Sequence, residues 1–179
     1  MNHVFIAGAG TMGLDIAQLF ASHDWQVTVR DISEDVLSRA AERLEAGLSR
    51  QVSRGKLTQA QADARRGKIA FTRDLAAGAD CDFVLEAIVE DLELKKQLFA
   101  ALNGVCRPDV IFASNTSSVS ITEMGAASGR PDRLAGMHFF NPAQVMALVE
   151  VVRGFATSEE TIQTVPETAQ ALGKQPVQA

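Results

Sequence analysis

Three groups of residues in this chain of 179 have types and spacings suited to chemistry. The first is Gly8-Ala9-Gly10-Thr11-Met12-Gly13, which follows an apolar run and opens a helical pattern at Leu14, Ala17 and Gln18. In a G-x-G-x-x-G loop Gly8 makes the tight turn and Gly10 lets a pyrophosphate approach the backbone. Gly13 lets the helix pack on the strand, so that phosphates meet the positive helix N-terminus. The six residues alone are weak evidence. A strand before them, a helix after them and Asp31 at the end of the next apolar run make them a dinucleotide fingerprint. An acid at that place accepts from the ribose diol of NAD and repels the extra phosphate of NADP. Arg30 beside it is the feature that softens this preference, although strand alternation points the two side chains apart.

The second group lies at the ends of later apolar runs: Glu86, Glu90 and Lys95 in LEAIVEDLELKK, and Ser114 to Ser118 in SNTSS. The third is HFFNPAQVMALVE, with His138 at its start and Glu150 twelve residues on. Each has a plain structural reading. Glu90 and Lys95 suit a solvated helix start, serines after a strand cap helices, and an isolated histidine is more often packed than catalytic. Their convergence on one rim favours chemistry. A hydroxyl to hold an oxygen, an imidazole that titrates near neutrality and a carboxylate to orient it are what dehydrogenation of an alcohol requires.

These residues need a scaffold that brings strand ends together. Apolar runs near residues 3–7, 26–30, 68–71, 82–86, 110–114, 135–139 and 148–152 alternate with helical patterns, which predicts a doubly wound, mainly parallel α/β sheet of one domain. In such a sheet ligands bind beyond the carboxyl ends of the strands. One stretch, about 34–67, breaks the rhythm. Leu37, Ala41, Leu44 and Leu48 share a helical face, Gly55 ends that helix and Thr58 caps another, which predicts a helical hairpin projecting from the sheet. Residues 39–68 carry eight Arg or Lys against three Asp or Glu, a sum of +5 on a chain whose net charge is −5. A basic hairpin on an acidic body suits an anionic ligand, and the plain alternative is a solvated helix face.

Hydrophobic content of 46% and charged content of 22% are those of a globular protein. The negative net charge argues against a nucleic-acid partner, and no run approaches the ~20 apolar residues of a membrane span. The first residues lack the pattern of a secretory signal, and Cys81 and Cys106 have neither metal-like nor redox-like spacing. A cytoplasmic protein with reduced, inert core thiols is expected.

The segments IAGAGTMGLDIA, AIVEDLELKKQLF, SNTSS and GMHFFNPAQVMALVEVV, in this order, resemble the NAD-binding domain of L-3-hydroxyacyl-CoA dehydrogenases. SRQVSRGKLTQAQAD is similar to the hairpin of bacterial 3-hydroxybutyryl-CoA and phenylacetate-pathway members. The resemblance implies that His138 is the general base and Glu150 its partner. It implies that Ser117 hydrogen-bonds the substrate oxygen and that Asn141 lies beside the base. Gly8, Gly10, Thr11, Met12, Gly13, Asp31, Glu90, Lys95 and Asn115 would serve NAD, and the hairpin, with Arg50, Arg54 and Lys56 as the expected contacts, would serve the CoA moiety. The family continues with a Thr-Pro-Gly-Phe segment and an all-helical domain that forms a homodimer and walls the substrate pocket. The chain is therefore expected to be an isolated cofactor-binding domain that binds NAD rather than turns over. Two other readings stand beside this one: a related dehydrogenase of a non-CoA hydroxy acid, and a non-catalytic dinucleotide-binding or structural module.

Overall fold

The computed structural model describes residues 2–179. Among them, eight strands form one sheet in the order β3-β2-β1-β4-β5-β6-β7-β8. The central strands β1 (His3–Ala7), β4 (Phe83–Glu86) and β5 (Ile111–Ser114) are almost continuously buried, as strands covered by helices on both faces must be. The chain leaves β1 toward β2 (Gln26–Arg30) and β3 (Ile69–Thr72), then returns to lay β4 on β1's other side. That reversal opens a crevice at the carboxyl ends of β1 and β4, the place where doubly wound sheets bind ligands.

β1 through β6 (Leu134–Phe139) are parallel. β7 (Leu148–Arg153) runs antiparallel to β6, and its register sets His138 opposite Glu150. The twelve-residue spacing is thus a hairpin spacing. The eighth strand, β8 (Gln175–Gln178), pairs parallel with β7 and was not expected. Its sequence, QPVQ, has a proline and only one other apolar residue, and it is an edge strand where proline is tolerated.

The helices are α1 (Thr11–Ser22), α2 (Glu34–Ser53), α3 (Gln59–Gly67), α4 (Leu92–Asn103), α5 (Ile121–Ser128) and α6 (Glu159–Ala171). α2 and α3 form the expected hairpin. Ser33 caps α2 through Val36 N, Gly55 turns the chain with a φ of +70°, and Thr58 and Gln61 form a reciprocal capping box on α3. The buried face of α2 is Leu37, Ala40, Leu44 and Leu48, with Ala40 rather than Ala41 turned fully inward. The hairpin does not project freely. Its leucines and Ala62 belong to the same core as Leu14, Ala17 and Val29, so it lies against α1. Burying each leucine stabilises that docking by about 1.5–3 kcal/mol. Arg66 braces the hairpin through Glu45, and Lys68 reaches Asp24.

A second core lies on the opposite face, around Phe5, Val84, Phe99, Phe112 and Met124. Cys81 and Cys106 are buried in it with their sulfurs 4.0 Å apart. Arg130, only 6% exposed, donates to the carbonyls of Asn103, Cys106, Arg107 and Val110 and lies 4.3 Å from the Phe112 ring. A cation satisfied by a ring of carbonyls fastens the turn between α4 and β5, and no spacing rule in the sequence announces it.

Candidate active site

The glycine loop has the form its sequence suggests. Gly8 has φ +109°, and a Cβ on it would lie 2.4 Å from Ala87 O at the end of β4. A Cβ on Gly13 would sit 1.9 Å from Gly8 O, so only glycine permits α1 to start this close to β1. Gly10 differs: a Cβ there meets nothing within 4 Å, and the space above it is open. Gly10 is the N-cap of α1 and offers no side chain to the first-turn amides. Those free N–H groups, with Thr11 exposed in front of them, make a cradle for a diphosphate.

Asp31 stands beside this cradle. Its two carboxylate oxygens accept from Ala9 N and Ser33 N, each at 3.0 Å, which ties the glycine loop to the end of β2. Each oxygen retains a lone pair, enough to receive a diol. Arg30 spends its Nε on the carbonyl of Arg73, across the β2–β3 edge.

On the other side of the switch point is a buried ionic cluster. Lys95, 1% exposed, places Nζ 2.8 Å from Glu86 Oε1 and 2.8 Å from Glu90 Oε2. Glu86, fully buried at the end of β4, also accepts from Ser114 Oγ at 2.5 Å and Ile88 N at 2.7 Å. Glu90 is the open end of the cluster and accepts from the Thr116 hydroxyl and from Ser117 N. Partial burial would raise its pKa, but the bonds from Lys95, Thr116 and Ser117 outweigh this and hold it down to about 2. The cluster thereby fixes the loop of residues 115–118. Lys95 is enclosed by carboxylates, whereas Ser117 faces solvent.

His138 Nδ1 lies 3.0 Å from Glu150 Oε2, with the histidine side chain 17% and the glutamate 37% exposed. This carboxylate orients the ring through Nδ1 and leaves Nε2 free of that contact. Asn115 accepts from Phe139 N at 2.8 Å, so the end of β5 holds the strand that carries the histidine. Of the two phenylalanines, Phe139 is core, while Phe140 is half-buried with its ring centroid 4.7 Å from that of His138. Asn141 is exposed on the loop after β6. That loop is anchored by contacts the sequence did not disclose. Gln144 bonds Asp15 of α1 through its side chain and its N–H, and the largely buried Lys174 donates to Met146 O.

The hairpin gives the fourth feature. Arg43, Arg50, Arg54 and Lys56 line a cavity of about 320 Å³ together with Gln18 of α1 and Gln144 of the histidine loop. Arg50, Arg54 and Lys56, the residues expected to meet a ligand, share this lining with Arg43. Arg66 and Lys68 are spent on Glu45 and Asp24, so the +5 charge does not act as one patch. Gln144, six residues after His138, belongs both to the cavity wall and to the loop after β6.

The sequence family described as "3-hydroxyacyl-CoA dehydrogenase, NAD binding domain" matches residues 3–179. A probable 3-hydroxybutyryl-CoA dehydrogenase of Deinococcus radiodurans is 47% identical over 96% of this chain, which spans 62% of that protein. The 3-hydroxyadipyl-CoA dehydrogenase of Escherichia coli is also 47% identical, over 97% of this chain and 37% of its own length. A crystal structure of a 3-hydroxybutyryl-CoA dehydrogenase from Escherichia coli superposes with a TM-score of 0.95 at 46% identity, covering 99% of this chain and 38% of that one. The chain thus spans less than two thirds of these relatives. The open cradle, the acid at the end of β2 and the match over nearly every residue agree: the chain belongs to the 3-hydroxyacyl-CoA dehydrogenase family as its NAD-binding domain.

Proposed function

We propose that this domain serves the NAD-dependent oxidation of an L-3-hydroxyacyl-CoA to the 3-oxoacyl-CoA. NAD, when bound, accepts the hydride. The observation that carries the reading is the 3.0 Å His138–Glu150 pair set in register between β6 and β7. His138 Nε2 takes the hydroxyl proton, and Glu150 holds the ring and balances the imidazolium. Ser117, whose loop is clamped by Glu90, donates to the substrate oxygen, and Asn141 flanks the base. Arg43, Arg50, Arg54 and Lys56 receive the phosphates of the CoA moiety. Lys95 and Asn115 act on the cofactor through the loop and strand they hold, rather than through free side chains. No helix among the described residues is long and apolar enough to cross a membrane. A cytoplasmic location, suggested by the free thiols of Cys81 and Cys106, and a homodimer formed outside these residues belong to the same proposal.

The test is hydride transfer in the protein that carries this domain. L-3-hydroxybutyryl-CoA is expected to reduce NAD, and the D epimer is not. Equal efficiency with free 3-hydroxybutyrate would replace the CoA ester by a small hydroxy acid. Asp31 gives a companion prediction that needs only this chain. Its carboxylate meets a diol favourably and a 2′-phosphate unfavourably, and like charges brought together in an interface cost several kcal/mol. Calorimetry is expected to give NAD at least tenfold tighter than NADP, since each factor of ten needs only about 1.4 kcal/mol. Equal affinities would mean that Asp31 serves only to tie Ala9 and Ser33.

A further inference from the structure

The ionic cluster at the ends of β4 and β5 carries a net negative charge with one carboxylate partly open to solvent. Lys95 and Glu86 are both buried and 2.8 Å apart, and Glu86 also accepts from Ser114 Oγ and Ile88 N. Glu90 is a second carboxylate on the same ammonium. Its side chain is 39% exposed, on the segment between β4 and α4. The sum over Glu86, Lys95 and Glu90 is −1, held in place by hydrogen bonds from Ser114, Thr116, Ser117 and Ser118. No buried polar side-chain atom among the described residues lacks a partner, so this charge does not compensate for a packing defect.

The location of that charge gives it a use. Asp31 on β2 takes the adenine-side ribose, and the cradle above Gly10 takes the diphosphate. The other nucleotide must therefore pass to the opposite side of β1, over the ends of β4 and β5, where Glu90 is the exposed carboxylate. The nicotinamide ring is cationic when oxidised and neutral when reduced. A fixed negative charge near it attracts one form and is indifferent to the other, and in a water-poor crevice the attraction is weakly screened.

We propose that Glu90, backed by the Glu86–Lys95 pair, is a fixed counter-charge that makes this domain bind oxidised cofactor more strongly, relative to reduced cofactor, than its contacts alone would. The inference rests on the NAD reading of the domain and adds to it a preference between the two cofactor forms. A ligand shifts an equilibrium only through its differential affinity for two states, and here the protein supplies that difference. Bound cofactor is held at a lower potential than it would be without the cluster, and the neutral product of hydride transfer is released more readily. Glu90 is in this sense a specificity-determining residue for cofactor charge, and Glu86 and Lys95 are positioning residues that act through it.

The experiment uses this chain with three probes: NAD⁺, NADH and ADP-ribose, which keeps the diphosphate and both riboses but lacks the nicotinamide. Dissociation constants are measured for the unsubstituted chain and for Glu90→Gln, which preserves the shape and the acceptor of the clamp. The expected result is that NAD⁺ binding weakens about five- to tenfold, the scale of one partly screened charge a few ångströms away. NADH and ADP-ribose should change less than about twofold on the same grounds. Glu86→Gln should shift the ratio in the same direction. An equal loss for all three probes would make the cluster a loop support and overturn the counter-charge, as would an unchanged NAD⁺ to NADH ratio. If the unsubstituted chain bound none of the three, the cofactor reading itself would fall, and the counter-charge with it.

Discussion

Replacing His138 by alanine in the protein that carries this domain is expected to lower turnover about 10²- to 10⁴-fold, the usual contribution of a positioned base. NAD affinity should stay within a few-fold. The two quantities separate because the histidine lies at the end of β6, while the diphosphate cradle and Asp31 lie at the ends of β1 and β2. A group that acts only on the reacting bond lowers kcat and kcat/KM together and leaves cofactor binding alone. Glu150→Gln should give a smaller loss. The amide still reaches Nδ1 across the same register pair, but it no longer balances the positive ring formed when the proton is taken. If His138→Ala abolished NAD binding instead, the histidine would be a packing residue. Its 17% exposure and its contact with Phe140 would then be its whole role.

The same pair shows how far sequence carries. The twelve-residue spacing of His138 and Glu150 states that they share a segment. It does not state whether they face each other, because that depends on where the chain turns between them. The antiparallel register of β6 and β7 decides it, and the turn is set by contacts from distant parts of the chain: Asp15 on α1 holding Gln144, and Lys174 holding Met146. Local pattern served well where one strand or helix decides the outcome. The residues of β1 and β2, the glycine loop and the Thr58 cap all fall where periodicity and cap chemistry put them. It failed where tertiary context decides. β8 exists because β7 leaves an edge to pair, Arg130 is buried because five protein oxygens surround it, and Lys95 is enclosed although a lysine in a first helical turn ordinarily reaches solvent. The charge of the hairpin was legible as a sum but not as a shape. Four of its cations converge on one cavity, while Arg66 and Lys68 are spent elsewhere.

That convergence sharpens the second large expectation. Arg50→Glu with Arg54→Glu should raise KM for acyl-CoA at least tenfold in dilute buffer, and the increase should shrink as salt is added. Both residues are exposed, Arg50 in the last turn of α2 and Arg54 as its C-cap, and both line the cavity with Gln144. Attraction between exposed charges decays within about 10 Å at 0.1 M salt, so the loss must be largest at low ionic strength. NAD binding should be unchanged, because the glycine-loop cradle takes its anion by backbone amides rather than by these side chains. The decisive comparison is between full acyl-CoA and a truncated thioester that keeps the hydroxyacyl group but lacks the nucleotide phosphates. The truncated substrate cannot use the arginines and should respond little to their reversal. Binding energy drawn from a remote part of a substrate is lost when either side of that contact is removed, and it is not lost twice. An equal rise in KM for both substrates would show that the substitutions disturb the docking of α2 on α1, where Leu44 and Leu48 hold the hairpin to the core. The basic cavity would then be a solvated surface whose charge serves no ligand.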